Sequence, residues 1–242
     1  PVSTVELANK LGQCPLAFQP GARWRYGTSA DAMAAVVEVA SGQQYGRFLQ
    51  DALFGPLGMD DTGFFVPASK QARLAKTYRE TADGLVLHSG NQLGIVDSML
   101  SPPAFESGGA GLTSTIDDYM TFARMLLGGG ALNGTRVMSP KTVEYYTTPQ
   151  LNNAAQIQDL DDHWTNGLAG FSYGNFMRIM ERPSNAVFMA SPGEYGWDGA
   201  LGVYFMNAPR ENLTFLFMTQ RAGSGTLPVT RRLRNIVFAA LE

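Results

Sequence analysis

Trp24-Arg25-Tyr26-Gly27-Thr28-Ser29 places a tyrosine just ahead of a run with helical spacing. A phenol titrates near pH 10, so Tyr26 can accept a proton at neutral pH only if cations or strong donors stabilise the phenolate. Arg23 and Arg25 are neighbours in sequence, but alternation about Trp24 can point both away, and the segment taken alone is read more simply as a ring packed at a helix start. A second candidate is Gly196-Trp197-Asp198-Gly199-Ala200-Leu201-Gly202. Three glycines around Trp197 suit a strand whose backbone closely approaches another backbone or a ligand. A bare N–H there can serve an oxyanion. The alternative is a glycine-rich turn between strands, with the tryptophan filling core.

Two further patterns carry less. Gly170-Phe171-Ser172-Tyr173-Gly174 matches G-x-S-x-G, a motif that needs a strand before it, a helix after it, and Asp then His downstream. Neither His88 nor His163 lies beyond Ser172, and the following residues read as strand. Asp159, Asp161, Asp162 and His163 resemble a metal-ligand set, although a solvated loop accounts for them more simply. No metal and no cofactor is expected.

The elements that must position these residues can be read from periodicity. Thr28 or Ser29 caps a helix with Met33, Val36, Val37 and Ala40 at helical spacing, stopped by Gly42. A second helix carries Tyr45, Phe48, Leu49, Ala52 and Leu53 and ends near Pro56 and Gly58. Both read as core-facing. Residues 66–106 form a loop-rich excursion with short strands. Ser114 with Asp117, or Thr115 with Asp118, makes a capping box for a helix through Leu127, and Ser139-Pro140 opens another. The last third changes to short β-rich runs: Phe176 to Met180, Ala186 to Ala190, Leu201 to Met206 and Leu213 to Thr219. These predict an antiparallel sheet, with a hairpin connection at 207–212 and a final helix of Val229, Leu233, Ile236, Val237, Ala240 and Leu241 over one face. The change of periodicity divides the chain into a mainly helical and loop region, 1–165, and a sheet-plus-helix region, 166–242.

At 242 residues and 45% apolar composition the chain can bury a sizeable core. Its net charge of −3 is spread without runs, so nothing marks a nucleic-acid partner. No apolar stretch is long enough to span a bilayer, and the chain reads as soluble. The single cysteine, Cys14, cannot form an internal disulfide and leaves the compartment undetermined. The chain begins at Pro1 without an initiating Met, and Val2 to Leu11 reads as an amphipathic segment with no secretory apolar region, which suggests a chain whose true beginning is missing or was cut away.

Several segments, taken in order, resemble the serine β-lactamase, penicillin-binding-protein and esterase superfamily, in particular the class C β-lactamase-like esterases. They are Phe18-Gln19-Pro20-Gly21 leading to Trp24-Arg25-Tyr26; Pro56-Leu57-Gly58-Met59-Asp60-Asp61-Thr62-Gly63-Phe64; Gly108 to Thr115; Leu132-Asn133-Gly134; and Gly196 to Gly202. The resemblance covers nearly the whole chain. It implies an α+β, β-lactamase/transpeptidase-like fold: an antiparallel sheet flanked by helices, plus a mainly helical region. In that family S-x-x-K supplies nucleophile and base partner, a second-motif tyrosine assists proton transfer, and a third motif lines the oxyanion side. The resemblance assigns Tyr26 to the second motif and Trp197-Asp198-Gly199 to the third, with the N–H of Ala200 as an oxyanion donor. Trp197, Asp198 and Gly199 then border the substrate, and Trp197 favours the esterase branch. Asp198 departs from the usual small residue and puts carboxylate-bearing substrates in doubt.

No serine in the chain is followed three residues later by lysine. The resemblance therefore implies a fold incomplete without an upstream segment that brings the nucleophile, present as a companion N-terminal fragment or on another chain. The expected activity is hydrolysis of a small-molecule ester or amide through an acyl-enzyme, with this chain inactive by itself. The rival reading is a non-catalytic penicillin-binding-like module that binds or regulates.

Overall fold

The computed structural model describes residues 2–88, 99–163, 168–223 and 228–241. Positions 89–98 of the expected excursion lie outside the described residues. Contacts divide the chain into two compact units, Pro1–Ala17 with Tyr26–Thr121, and Phe18–Arg25 with Phe122–Glu242. These units follow contacts, whereas the division at 165/166 follows periodicity.

In the first unit, α1 (Thr4–Leu11) opens with a reciprocal cap: the Ser3 hydroxyl accepts from Glu6 N–H and the Glu6 carboxylate accepts from Ser3 N–H. Helix α2 (Ser29–Ser41) ends at Gly42, whose φ of 69° is the left-handed stop that glycine adopts freely. Its buried residues are Ala34 and Ala35, while Met33 and Val36, expected in the core, are exposed. The cause is steric. Gly108 approaches so closely that a Cβ there would stand 2.3 Å from Ala30 O and 3.0 Å from Ala34 Cβ, so only small residues fit that side of the helix.

Helix α3 (Tyr45–Leu49) continues through a π turn, Gln50–Phe54, into α4 (Gly55–Leu57) and stops at Gly58. The excursion holds a 3-10 turn, Ala68–Arg73, and a hairpin of β1 (Tyr78–Thr81) and β2 (Gly84–Leu87). Helix α5 (Ile116–Leu127) takes the second capping option, with Asp118 N–H donating to the Thr115 hydroxyl at 3.2 Å. The Asp118 carboxylate in turn accepts from Asp61 N–H and the Thr62 hydroxyl, both at 2.8 Å. That fastens the Asp60-Asp61-Thr62 stretch.

The second unit begins its own elements with a two-residue hairpin, β3 (Ala131–Leu132) and β4 (Thr135–Arg136). Asn133 and Gly134 between them both have positive φ, as this tight turn requires. Helix α6 (Pro140–Tyr146) is capped by Ser139, and α7 (Ala154–Asp162) by Asn153. Among the described residues five strands form one antiparallel sheet in sequence order: β5 (Phe171–Tyr173), β6 (Arg178–Met180), β7 (Tyr195–Asp198), β8 (Tyr204–Ala208) and β9 (Leu213–Phe217). Helix α8 (Pro228–Ala239) lays Phe238 against Tyr204, Met206 and Ala208 on one face. Alternation turns Asn207 to the opposite face, where its amide donates to Ala123 O of α5 at 2.8 Å.

Two expectations need correction. Ala186 to Ala190 is not a strand: Met189 N–H donates to the Asn235 side chain, and Met189 O accepts two bonds from Arg234. The backbone at Met189 is thus committed to α8 instead of a ladder, and Ala186 N–H closes a turn on Pro183 O at 3.1 Å. The buried residues of α8 are Thr230 and Arg234, whereas Val229, Ile236 and Leu241 of the expected apolar stripe are exposed. A buried carboxylate decides this orientation. Glu194 is 1% exposed, and its two carboxylate oxygens accept from Arg234 Nη2 at 3.0 and 2.8 Å, with Ser191 N–H a further donor at 3.2 Å, so the helix turns its arginine inward.

Candidate active site

The stretch ahead of Tyr26 is strapped to α7. Gly21 O accepts from Gln156 Nε2 at 2.8 Å and from Asn153 Nδ2 at 3.3 Å. Asp159 accepts Trp24 N–H at 3.0 Å and Arg23 Nε at 2.7 Å, with a second guanidinium bond on its other oxygen. The Arg23 guanidinium holds that carboxyl well below the usual range, at about 2. Arg23, one of the two cations placed near the phenol by sequence, is therefore engaged by Asp159.

The Trp24 ring continues the strap into the core. It meets His163 edge-on at 5.1 Å and Tyr173 at 5.2 Å, and Tyr173 meets Trp197 at 5.3 Å. Edge-to-face rings at this spacing attract beyond the area they bury. Burial pushes the His163 imidazole below its ordinary value. Tyr26 itself belongs to the first unit, two residues before the Thr28 cap of α2, and is 42% exposed.

The residues that the resemblance assigns to the third motif lie at the end of β7 and in the turn after it. Trp197 pairs with Phe205 and Asp198 with Tyr204 across to β8. Gly196 is required here, because a Cβ would stand 2.0 Å from Phe205 O. The Gly199–Gly202 turn closes on itself: Gly199 N–H donates to Val203 O at 2.8 Å and Gly202 N–H to Gly199 O at 2.9 Å. Gly199 thus spends its N–H inside the turn, and Ala200 follows it half-buried.

Asp198 does not stand as a free acid. Its carboxylate accepts from the Arg178 guanidinium of β6, which also donates to Phe205 O at 3.2 Å and lies 4.6 Å from the centre of the Tyr204 ring. Burial pushes the Asp198 carboxyl up, and the facing arginine opposes that rise. The Tyr204 hydroxyl accepts from Arg234, so two buried ion pairs, Arg178–Asp198 and Arg234–Glu194, meet at one tyrosine. Sequence reasoning missed this network of Arg178, Tyr204, Arg234 and Glu194 around Asp198. The available signal was Arg178 itself, a charge between apolar residues in a β run, which must find a counter-ion when buried.

The remaining candidates fall elsewhere. Ser172 is fully buried on the outermost strand β5, and a turn into β6 follows it instead of a helix. Asp161 is bonded to Arg182, and Asp162 to Gln158. Among the described residues no cluster of three His, Cys, Asp or Glu is placed to hold a metal, and no helix is long and apolar enough to cross a membrane.

A sequential antiparallel sheet with helices on its faces, joined in one chain to a helical unit, is the β-lactamase/transpeptidase-like α+β arrangement. Residues 2–239 match the Beta-lactamase family, and the chain belongs to it. An uncharacterized protein of Mycobacterium tuberculosis is 32% identical over 215 residues, 87% of this chain and 52% of that one. Esterase EstB of Burkholderia gladioli is 26% identical over 247 residues, 97% of this chain and 59% of the esterase. The solved structure of EstCE1, a hydrolase with promiscuous acyltransferase activity, covers 100% of this chain and 62% of its own at a TM-score of 0.81 and 21% identity, a likeness of fold. The chain spans about half the length of the curated relatives it matches.

Proposed function

We propose that this chain carries the tyrosine and oxyanion-side segments of a β-lactamase-like esterase whose acylating serine and lysine lie upstream in the full-length polypeptide. The observation that carries the reading is the β7 turn: Trp197-Asp198-Gly199 ends a sheet strand so that Ala200 N–H follows a glycine whose own N–H is already spent. The absence of S-x-x-K from these 242 residues, with the half-length match to relatives, supports an upstream origin for the nucleophile. Apolar residues left exposed in each unit, Met33, Val36 and Val39 in one and Val229 and Ile236 in the other, support a companion segment. So does β9, which among the described residues pairs on one side only.

In this reading the upstream serine oxygen attacks the carbonyl carbon of a small ester or amide while its proton passes to the lysine and Tyr26 pair. Ala200 N–H stabilises the oxyanion that forms. Collapse expels the alcohol or amine, which takes up that proton, and leaves an acyl-serine. Water then attacks the acyl carbon and gives a proton to the same base, which passes it to the departing serine oxygen, so that the acid and the free serine are released. Trp197 and Gly199 border the acyl group, and Asp198 acts on that border through its bond to Arg178.

The test is a full-length polypeptide assayed on neutral p-nitrophenyl esters, with intact-mass and peptide mapping after a fluorophosphonate label. Turnover, with the label on a serine of an upstream S-x-x-K, is expected. A label on Ser172 overturns the assignment, and ligand binding with neither turnover nor label transfers the protein to the non-catalytic reading.

A further inference from the structure

The turn that carries Ala200 is gripped from the neighbouring strand by a residue that no motif marks. β9 pairs with β8 so that Phe217 faces Tyr204, and the same register carried two residues further sets Thr219 opposite Gly202. The Thr219 hydroxyl lies 3.0 Å from Leu201 O and 3.1 Å from Gly202 O. A hydroxyl has one proton to donate, so the two carbonyls share it. Arg221 N–H donates to Leu201 O as well, at 2.9 Å.

These bonds reach Ala200 through two peptide planes. Leu201 C=O and Gly202 N–H belong to one planar trans peptide, so fixing the oxygen fixes the opposite direction of the N–H. That Gly202 N–H donates to Gly199 O. Gly199 C=O and Ala200 N–H form the next plane in the series, and holding the Gly199 oxygen inward directs Ala200 N–H outward from the turn. Each bond also polarises the following one. The β7–β8 ladder fixes the strands but not this rotation, because Gly202 sits at φ 87° and glycine permits many paths.

We propose that Thr219 is a positioning residue: its hydroxyl sets the Leu201–Gly202 peptide, which sets the Gly199–Ala200 peptide and so aims Ala200 N–H at the oxyanion. This rests on the reading that Ala200 N–H is the oxyanion donor. Removing one such donor outright costs about 10²–10³ in kcat, so loosening its aim costs a fraction of that.

The experiment uses the full-length protein with Thr219→Val, which keeps the shape and removes the hydroxyl, and Thr219→Ser, which keeps the hydroxyl. Expected for Thr219→Val is a fall in kcat of about 10-fold or more with KM within about 2-fold, while Thr219→Ser stays close to the parent. Amide exchange of Gly202 is measured in parallel. It should speed up about 10-fold in Thr219→Val and not in Thr219→Ser, since loss of the clasp frees that N–H to open. Unchanged kcat in Thr219→Val, equal losses in both variants, or unchanged Gly202 exchange each overturn the clasp. A parent protein that turns over no ester overturns the functional reading instead, and Gly202 exchange still decides whether Thr219 holds the turn.

Discussion

Arg178 of β6 donates to the Asp198 carboxylate of β7, one residue before the Gly199–Gly202 turn begins, and both side chains are nearly removed from solvent. A buried pair of this kind contributes little net stability, because desolvating two charges offsets their attraction. Its consequence is geometric: the last residue of β7 is tied sideways to β6, and the acid brings no unpaired charge to the turn. The doubt that Asp198 raised about carboxylate-bearing substrates assumed a free acid, and the pair removes that premise.

Breaking this pair from one side should be worse than removing it. Arg178→Met leaves a buried carboxylate without its partner and is expected to destabilise the full-length protein by about 3–5 kcal/mol, whereas Arg178→Met with Asp198→Leu should recover most of the loss. Urea unfolding of the parent, both single variants and the double variant measures the coupling. Additive losses would mean the two side chains do not act as a pair.

Tyr26→Phe keeps the ring and removes the proton carrier. On the proposed function kcat on neutral esters falls by about 10²–10⁴, with KM changed little, since general acid–base assistance contributes on that order. Parent-like kcat would remove Tyr26 from the chemistry and leave it as a packed ring at the start of α2.

Gly196→Ala places a methyl 2.0 Å from a backbone oxygen of β8 that cannot swing away as a side chain could. The expected cost is about 1–3 kcal/mol, by analogy with overpacked cores, with a matching fall in thermal midpoint. An unchanged midpoint would show that β7 and β8 separate without penalty.

Two groups tie the Tyr26 approach to pH in the same direction. Asp159 is held at about 2 by Arg23, below its unfolded value, so its stabilisation is present above the ordinary carboxylate range and is lost as pH falls toward 2. His163 is also depressed, by burial, so the unfolded chain takes up a proton first and stability falls as pH drops below about 6.5. Unfolding midpoints of the parent and of His163→Phe, from pH 8 to pH 5, test the second statement. The slope should be flatter in His163→Phe, and equal slopes would refute the assignment.

Much of the architecture was legible because local signals act over a few residues. Gly42 and Gly58 stop helices, Thr115 and Ser139 cap them, and Asn133-Gly134 turns a hairpin, each through backbone conformations that depend only on neighbouring atoms. The order of motifs likewise carried the family, which the match over residues 2–239 bears out. Periodicity failed where a distant partner decided. Ala186 to Ala190 has strand composition, yet Arg234 and Asn235 take the backbone bonds of Met189 within it, and α8 presents Arg234 to the sheet because Glu194 is buried there.

The sequence by itself determined which residues cap, turn and alternate, and it nominated Tyr26 and the Trp197-Asp198-Gly199-Ala200 segment as candidates for chemistry. Only the tertiary structure decided that Asp198 is neutralised by Arg178, that Arg23 belongs to Asp159, and that Thr219 grips the turn before β8. The reason is that burial and pairing are settled between residues roughly 20 to 140 positions apart in the chain, a range over which no local periodicity carries information.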